Sequence, residues 1–339
     1  MTAASPTGSL GSALPDRRPD RMAAVIGLVD DEMSAVEVAL RARMDSPIGA
    51  IPEVGAHLLQ AGGKRLRPLL AVLAARATDV PMELAVAVGA AAELIHTATL
   101  YHDDVVDDGR VRRGRPAARM VYGNGIVVLV GDFCLARALE TVALTGSLAA
   151  VQSLAATVTE MAEGEVAQLE RAGNPDATIE DYFRVIDRKT ASLIAWCARV
   201  GGATRPEHDR ALERYGRALG RAFQIADDVL DCAGDEETTG KSVGQDIQEG
   251  KLTLPVLYAC ELDPALRETV RATVGERAVS AEDARVILRR TRAVGGVDRA
   301  RARAHQLASD ATGELRALPP GRYRDALFEL AALTTDRKA

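Results

Sequence analysis

Two short acidic clusters with the same internal spacing lie far apart in this chain of 339 residues. The first reads DDVVD and the second DDVLD, so each holds two adjacent aspartates and a third aspartate four positions after the first. Residues four positions apart on an α-helix are neighbours on one face, so each cluster gathers its carboxylates into one patch. The aspartates are Asp103, Asp104 and Asp107 in the first cluster, and Asp227, Asp228 and Asp231 in the second.

Both clusters are embedded in apolar sequence, where ionised carboxylates need a cation. Like charges repel at this spacing, and burial would force protonation unless a positive charge is close. Mg²⁺ fits because it prefers oxygen ligands, takes one or two carboxylates in a site and completes its coordination with water and substrate phosphates. One acidic stretch alone is typical of a solvated helix face, but two copies favour metal binding. The sequence therefore predicts Mg²⁺ and a polyphosphate held between two helices.

Three basic groups accompany the acidic clusters and could bind phosphate. The segment GRVRRGRPA follows the first cluster, and TTGKSVGQDIQEGKLTLP follows the second. The third, AGGKRLRPLL, precedes a helix that Pro68 is expected to open, and a helix N-terminus favours an anion. Arg can hold two phosphate oxygens at once, although any single cation in such a loop can also be a solvated charge. The basic residues are Arg110, Arg112, Arg113 and Arg115, then Lys241 and Lys251, and finally Lys64, Arg65 and Arg67.

Single polar residues also interrupt two apolar helical stretches. His96 lies in LIHTATLYHDD, and Lys189 and Thr190 lie in DRKTASLIAW. A lone histidine on a helix is often a packed structural residue, and a lysine often buries its stem while its ammonium group reaches solvent. The residues alone leave both interpretations open, with phosphate binding as the alternative.

Helices must position these residues, because apolar residues recur at helical spacing almost everywhere and strand-like alternation is absent. The chain is therefore predicted to be all-α. Both acidic clusters fall near the C-terminal ends of long helices, where partial negative charge adds to the repulsion. Gly and Pro punctuation predicts helices near 21–45, 52–61, 68–78, 82–108, 116–122, 126–144, 148–171, 178–201, 207–233 and 252–261, with several shorter ones after 264.

Composition restricts the class of protein. The chain has 42 basic and 48 acidic residues and a net charge of −6, so there is no electrostatic case for a nucleic acid partner. Apolar residues make up 47% and aromatic residues only 3%, which favours closely packed helices in one domain from 21 to 339. Residues 1–20 are rich in Ser, Pro, Gly and Thr and lack the apolar core of a secretory signal, so a disordered tail is expected there.

Cysteine usage and apolar run lengths predict a cytoplasmic protein. The four cysteines contain no CxxC pair, so reduced thiols are expected. The longest apolar runs are interrupted by Glu93 and Asp132 well before membrane-spanning length, so no integral membrane segment is predicted.

The ordered motifs between residues 55 and 260 resemble those of the trans-isoprenyl diphosphate synthases, also called polyprenyl synthases. The motifs are GGKRLRP, LIHTATLYHDDVVD, RRGRP, GDF, RKTA, AFQIADDVLD and GKSVGQDIQEGKLTLP. Seven motifs in the family's order make a chance match negligible. The resemblance implies an isoprenoid-synthase-type helical bundle around a deep central cavity, with two Asp-rich helices facing across its mouth, and usually a homodimer.

The resemblance also implies a role for each matching residue. Mg²⁺ would be held by Asp103, Asp107 and Asp227, supported by Asp104, Asp228 and Asp231. An allylic diphosphate would contact Arg112, Lys189, Thr190, Gln224, Lys241 and Lys251, with Lys189 counted among the catalytic residues. Isopentenyl diphosphate would contact Lys64, Arg67, His96 and Arg113. Asp108, directly after the first cluster, is an extra carboxylate without an implied role.

The implied reaction joins isopentenyl diphosphate to an allylic diphosphate. Metal ions and cations stabilise the charge that builds on the departing diphosphate. The double bond of isopentenyl diphosphate attacks the allylic carbocation, and loss of a proton to the released pyrophosphate restores an allylic product. No enzymatic nucleophile is needed, and a water-poor apolar cavity would protect the cation.

Product length should depend on residues N-terminal to the first cluster. Thr99 and Ala98 lie four and five residues before Asp103, which is about 6–7.5 Å deeper at helical rise. Short-chain members of the family often carry an aromatic residue at this depth, whereas both side chains are small here. A linear long-chain all-trans polyprenyl diphosphate, of the kind used for quinone side chains, is therefore expected, with geranylgeranyl diphosphate as the alternative.

Two other classes share the fold. A terpene cyclase would have no use for Lys64, Arg67 and His96, and its second cluster would usually be of another type. A non-catalytic partner subunit of a heteromeric synthase would be expected to carry degraded Asp motifs, whereas both motifs are intact here.

Overall fold

The structure of the chain is a computed structural model that describes residues 18–59, 65–233, 244–275 and 278–336. The tail expected at 1–20 lies outside these ranges, except for residues 18–20, whose backbone begins the first helix. Lys64 and Lys241 also lie outside the described residues.

Helix follows helix through almost all of the described chain. The N-terminal part forms α1 (Arg18–Gly27), α2 (Asp30–Arg43), α3 (Ala50–Leu59), α4 (Leu66–Ala77), α5 (Met82–Val106), the short strands β1 (Val111–Arg112) and β2 (Arg115–Pro116), α6 (Ala118–Tyr122), α7 (Asn124–Ala143) and α8 (Leu148–Arg171). Next come α9 (Ile179–Ile186), a π-helix (Asp187–Ala191), α10 (Ser192–Arg199), a 3₁₀ turn (Val200–Gly202) and α11 (Pro206–Ala233). The remainder forms α12 (Gln245–Gln248), α13 (Leu254–Leu262), α14 (Pro264–Thr273), α15 (Ala281–Ala293), α16 (Gly296–Glu314), a 3₁₀ turn (Leu315–Ala317) and α17 (Arg322–Thr335).

Helix α5, which carries the first acidic cluster, runs through the larger of two hydrophobic clusters. It packs chiefly against α7, α4 and α2. Its alanines Ala90, Ala91 and Ala92 are fully buried. Because small side chains let neighbouring backbones approach closely, the scarcity of aromatic residues is compatible with a dense core.

Helix α11, which carries the second acidic cluster, packs chiefly against α16 and α10. A Cβ atom at Gly216 or Gly220 would lie 2.5 Å from the Cα atom of Ala195 or Ala191, respectively. These glycines therefore permit a close crossing between α11 and the segment that precedes it. The crossing sets the π-helix beside the second half of α11, where the aspartates lie.

Helix α5 is also long and apolar enough to cross a membrane by length and composition alone. However, 67% of its most apolar window is buried against the rest of the protein. Glu93 lies in its middle and is itself buried in an ion pair with Arg65. This burial is that of a core helix.

The all-α class is confirmed, while several predicted boundaries are wrong. The helix predicted at 21–45 is two helices, α1 and α2, and the helix predicted to open at Pro68 begins at Leu66. The helix predicted at 178–201 contains a π-helical turn, and α16, with 19 residues, is not short. The β1–β2 hairpin was not predicted.

The hairpin depends on backbone geometry that hydrophobic patterning does not reveal. Val111 pairs with Pro116, and Arg112 pairs with Arg115. The two turn residues between the strands, Arg113 and Gly114, have φ values of 52° and 74°. Positive φ at both central residues is the turn geometry that matches the twist of a two-residue hairpin.

Candidate active site

Both acidic clusters face one cavity of about 690 Å³. Helices α5, α8, α9 and α11, the π-helix and the segment around α12 contribute to its walls. Five of the six clustered aspartates line it, and these are Asp103, Asp107, Asp227, Asp228 and Asp231. Predicted phosphate-binding residues reach the same cavity, namely Arg67, His96, Arg112, Lys189, Thr190, Gln224 and Lys251. The structure therefore brings together residues that are more than a hundred positions apart in the sequence.

Two lysines compensate the first cluster. The Nζ atom of Lys189 lies 3.6 Å from Asp103 Oδ2, and Lys251 Nζ donates to both oxygens of Asp107 at 3.1 Å. Asp103 lies in the last turn of α5, whereas Asp107 is the residue that caps it. Burial raises the pKa of Asp103 to about 6, although the charge of Lys189 opposes this rise. The pKa of Lys251 is raised because its hydrogen bonds and charge interactions with Glu249 and Asp107 outweigh the effect of burial.

Asp104 does not face the cavity. Its side chain is fully buried, and Arg112 Nη2 and Nε donate to Asp104 Oδ1 at 2.6 and 2.8 Å. A Cβ atom at Gly109 would lie 3.3 Å from the same carboxylate oxygen, so the chain closes tightly over this pair. Asp104 was expected to support the three metal-binding aspartates, and the structure places it behind Arg112, which does line the cavity.

Neutral donors surround Asp228 in the second cluster. The hydroxyl of Tyr182 donates to Asp228 Oδ2 at 2.5 Å, and Gln224 Nε2 donates to Asp228 Oδ1 at 2.9 Å. Burial raises the pKa of Asp228 to about 6 despite these hydrogen bonds. Burial, reinforced by the charges of Asp231 and Asp228, also raises the pKa of nearby Asp246. The second cluster and Asp246 thus form a wall of the cavity that is rich in carboxyl groups and partly desolvated.

The π-helix presents Lys189 and Thr190 to this wall. Thr190 Oγ1 donates to Gln224 Oε1 at 2.9 Å, and the Gln224 amide in turn contacts Asp228. A Cβ atom at Gly164 on α8 would lie 2.7 Å from the backbone nitrogen of Lys189, so glycine is required for this close approach. Single π-helical turns inside helices are frequent at functional sites.

A second basic area lies around His96, nearly one turn of α5 before Thr99. Burial lowers the pKa of His96 well below its ordinary value, and the charges of Arg67, Arg113 and Arg112 lower it further. The imidazole is therefore neutral at pH 7 and can donate one hydrogen bond and accept another. Arg67 lies in the first turn of α4, whereas it was expected in a loop.

Two arginines near this area have protein partners. Arg65 is tied by its guanidinium to Glu37 and Glu93 at 2.6 and 2.8 Å, so it joins α2 and α5. Arg113 Nη1 donates to the carbonyl oxygen of Leu58 at 3.4 Å. Arg113 does not line the cavity that holds both clusters.

The apolar end of the cavity lies below the first cluster. Thr99 lines the cavity, whereas Ala98 is fully buried in the main hydrophobic cluster and is not among the lining residues. One turn deeper, Ile95 lines the cavity together with Leu135 and Val158. The same three side chains also line a second, apolar cavity of about 190 Å³ between α5, α7 and α8. These three side chains therefore lie between the two cavities.

The donor set around the cavity fits Mg²⁺. Within the described ranges, no three His, Cys, Asp or Glu side chains converge closely enough to form a ready-made metal cage. Mg²⁺ does not require such a cage, because it keeps several waters and binds through one or two carboxylates plus substrate phosphates. The facing carboxylates of Asp103, Asp107 and Asp227 supply such hard oxygen ligands along the cavity wall.

Several cavity residues escaped the sequence analysis. Glu165 and Glu249 hold the two lysines, Tyr182 donates to Asp228, and Asp246 joins the acidic wall. Asp246 and Glu249 lie within the segment already singled out for Lys251, but nothing in its spacing marks them. Glu165 and Tyr182 come from α8 and α9, whose patterns resemble those of ordinary amphipathic helices.

Comparison with known proteins yields a consistent family. A family model described as polyprenyl synthetase matches residues 49–290. The octaprenyl diphosphate synthase of Escherichia coli (strain K12) is 39% identical over 313 residues, which cover 91% of this chain and 97% of that protein. Heptaprenyl diphosphate synthase component 2 of Geobacillus stearothermophilus is 39% identical over 317 residues, which cover 92% of this chain and 97% of that protein.

A solved structure is similar over nearly the whole fold. It is the crystal structure of a polyprenyl synthase from Caulobacter crescentus CB15, complexed with calcium and isoprenyl diphosphate. The TM-score is 0.89 at 39% identity, and the match covers 94% of this chain and 98% of that chain. Sequence and fold therefore point to the same relatives.

Proposed function

Because this chain belongs to the polyprenyl synthetase family, we infer that it is a trans-polyprenyl diphosphate synthase that makes long-chain products. It condenses isopentenyl diphosphate with an allylic diphosphate in successive steps and extends a linear all-trans chain. The observation that carries this function is the cavity lined by both acidic clusters, by the cations proposed to bind phosphate and by apolar side chains that also border a second, apolar cavity. Such a cavity can bind a diphosphate at one end and a growing hydrocarbon tail at the other.

We propose that Asp103, Asp107 and Asp227 hold Mg²⁺ at the mouth of the cavity. When bound, the metal neutralises negative charge on the allylic diphosphate and so stabilises it as a leaving group. Asp228 and Asp231 shape the acidic wall behind these ligands. The crystal structure of the Caulobacter relative, which contains calcium and isoprenyl diphosphate, supports a divalent cation and a diphosphate in this fold.

The allylic diphosphate is oriented by cations on both sides of the first cluster. Lys189 and Lys251 donate from two walls of the cavity, and Arg112 reaches it from the hairpin with its guanidinium held by Asp104. Thr190 and Gln224 fix each other by a hydrogen bond and offer polar contacts between the lysines and Asp228. Groups that are oriented before the substrate arrives lower the barrier to ionisation because they need no reorganisation during the reaction. Lys241 is proposed as a further contact and lies outside the described residues.

Isopentenyl diphosphate is proposed to bind in the basic area around His96. The neutral imidazole can donate to a phosphate oxygen, while Arg67 and Arg113 supply positive charge. Lys64, outside the described residues, is proposed to complete this set. The released pyrophosphate is proposed to take the proton from the condensation product.

The apolar end of the cavity supports the long-chain product. Ile95, Leu135 and Val158 carry no aromatic ring, and an apolar space continues beyond them. Thr99 remains a proposed length determinant because it lines the cavity. Ala98 points into the packed core instead, so its small size does not by itself widen the cavity. Octaprenyl and heptaprenyl synthases among the relatives support this product class over geranylgeranyl diphosphate.

Product length tests this assignment. We expect Leu135→Phe to shorten the main product by narrowing the passage between the two cavities, whereas Ala98→Phe should chiefly destabilise the fold by overpacking it. Mass spectrometry of the products and the melting temperature of each variant would check both results. A shorter product from Ala98→Phe at an unchanged melting temperature would mean that Ala98 does limit the product length.

Assembly and location are also proposals. The resemblance to the family favours a homodimer in the cytoplasm, although the name of the Geobacillus relative describes it as one component of its synthase. One catalytic domain from 21 to 339 is supported by α11, which contributes Leu219 to the larger hydrophobic cluster and Ile225 to the smaller one. The mass of the purified protein in solution, measured together with its turnover, would distinguish a homodimer from a chain that needs a second subunit.

The decisive experiment supplies the purified chain with isopentenyl diphosphate, farnesyl diphosphate and Mg²⁺. A ladder of longer linear prenyl diphosphates is expected. A cyclic hydrocarbon without elongation would instead identify a terpene cyclase. Lack of turnover by the chain alone would identify a partner subunit.

A further inference from the structure

Two glutamates outside the acidic clusters hold the two cavity lysines. Glu165 on α8 forms an ion pair with Lys189, while Glu249, next to α12, accepts a hydrogen bond from Lys251 Nζ at 2.7 Å. All four side chains are largely buried, with exposed fractions between 15% and 25%. Each lysine therefore lies between one of these glutamates and one aspartate of the first cluster.

A glutamine orients each glutamate in the same way. Gln168 Nε2 donates to Glu165 Oε1 at 3.3 Å, and Gln245 Nε2 donates to Glu249 Oε1 at 2.8 Å. The second oxygen of each carboxylate is the one that contacts the lysine. The same arrangement thus occurs twice, on opposite sides of the first cluster, although the residues come from unrelated segments.

The position of the lysines conflicts with metal binding by the first cluster. A metal ion bound to these aspartates would be a second cation close to each ammonium group, and two cations repel each other at such distances. Metal binding at Asp103 and Asp107 would therefore weaken the attraction between each aspartate and its lysine. A displaced lysine without another anionic partner would lose its orientation or continue to compete for the aspartate.

We propose that Glu165 and Glu249 are positioning residues that retain Lys189 and Lys251 at the cavity when a metal ion takes the aspartates of the first cluster. The lysines then exchange an aspartate for the diphosphate while the glutamates keep them in place. This inference rests on the proposed function, because it assumes a metal ion and a diphosphate in the cavity.

The direction of the change in phosphate affinity distinguishes a positioning role of the glutamates from a simple effect of their charge. Removing a negative charge from a phosphate-binding cavity should strengthen phosphate binding by Coulomb's law. Loss of a positioning residue should weaken it, because the ammonium group is no longer directed at the phosphate. Glu165→Gln and Glu249→Gln keep the side-chain shape and remove only the charge.

The test is calorimetric titration of the purified full chain with inorganic pyrophosphate in the presence of Mg²⁺. We expect the pyrophosphate Kd to rise about five- to tenfold in each glutamine variant, as for the loss of a hydrogen bond to a charged group. The matched control is Glu163→Gln on the same helix, whose side chain is 60% exposed and lies 4.0 Å from Arg188. Its pyrophosphate Kd should not change.

Two further variants distinguish a positioning effect on Lys189 from misfolding and from indirect effects of the lost charge. Gln168→Leu leaves every charge in place and removes only the group that orients Glu165, so it should weaken binding in the same direction and by less. Combining Glu165→Gln with Lys189→Met should add nothing to the effect of Lys189→Met alone. Melting temperatures would identify any variant that fails to fold.

An unchanged or lowered pyrophosphate Kd in both glutamine variants would overturn the inference, as would a full effect of Glu165→Gln in the Lys189→Met background. Failure of the proposed function has a different signature. In that case the unaltered chain would not extend farnesyl diphosphate, whatever its affinity for pyrophosphate.

Discussion

The two acidic clusters share a spacing but differ in the groups that compensate them. Cationic side chains contact each aspartate of the first cluster, with Lys189 near Asp103, Lys251 at Asp107 and Arg112 at Asp104. In the second cluster, Asp228 accepts from the neutral side chains of Tyr182 and Gln224. The identical sequence pattern therefore occurs in two different electrostatic environments.

This difference bears on the metal site that is proposed between the two clusters. At the first cluster, a metal ion would meet ammonium groups that already lie beside Asp103 and Asp107. At the second cluster, burial keeps the pKa of Asp228 and of Asp246 raised, so a metal ion would relieve charge that neutral donors only partly stabilise. The aspartates of the first cluster thus lie beside cationic side chains, whereas Asp228 of the second cluster is hydrogen-bonded to neutral groups.

The largest expected effect tests whether both clusters are needed for turnover. Asp103→Asn and Asp227→Asn should each lower kcat by roughly a thousandfold or more, because each removes a charged ligand from the metal that stabilises the leaving group. Steady-state rates with Mg²⁺ would measure this. The control is Asp108→Asn, whose side chain is 86% exposed and pairs with Arg119, and it should keep nearly the full rate. A near-normal rate in either cluster variant would contradict the shared metal site.

The next effect tests the ion pair between Arg112 and the buried Asp104. Arg112→Met should lower the free energy of unfolding by about 3–5 kcal/mol, because it leaves the fully buried Asp104 carboxylate without its partner. Chemical denaturation would measure the change. Restoring stability with a second substitution, Asp104→Asn, would show that the loss comes from the unpaired charge. A loss below about 1 kcal/mol would mean that Asp104 reaches another cation or water.

The smallest expected effect is the pH dependence of folding stability, with and without a bound metal ion. The pKa values of Asp103 and Asp228 are raised from 3.8 to about 6. Between about pH 4 and about pH 6, the folded metal-free protein therefore binds more protons than the unfolded chain. Its stability should therefore fall as pH rises from about 4 to about 6, by up to about 3 kcal/mol for each group. Because Mg²⁺ binds deprotonated carboxylates, it should stabilise the protein more at about pH 7.5 than at about pH 5.

Melting temperatures with Mg²⁺ and with a chelator at both pH values would check this result. Asp228→Asn should remove part of the pH dependence, since the amide does not titrate. Equal stabilisation by Mg²⁺ at both pH values would mean that the two carboxyl groups are already ionised without metal.

Periodicity was sufficient to predict the fold class and most helices. The long helices α5, α8 and α11 carry strong apolar patterns bounded by Gly, Pro or capping residues, and their predicted bounds agree with the structure to within a few residues. The π-helix at Asp187–Ala191 was missed because one extra residue in a turn leaves the local composition unchanged. The hairpin was missed because its strands have two residues each and no room for alternation.

The site was predictable where the residue types themselves are informative. Repeated aspartates and clustered cations identified the residues of the cavity wall. The prediction for Ala98 depended on which face of α5 meets the cavity, and neighbouring residues on a helix point about 100° apart. Thr99 faces the cavity, whereas its neighbour Ala98 faces the core, and only packing against other helices could decide between them.

The sequence alone determined the chemistry of this protein, since carboxylates in apolar helices demand a cation and the ordered motifs identify the family. Tertiary structure alone decided which partner each charged group has. Asp104 faces Arg112 rather than the cavity, and Glu165 and Glu249 come from different segments to meet the two lysines. The physical reason is that hydrophobic periodicity is a local property of a helix, whereas an ion pair depends on how separate helices cross.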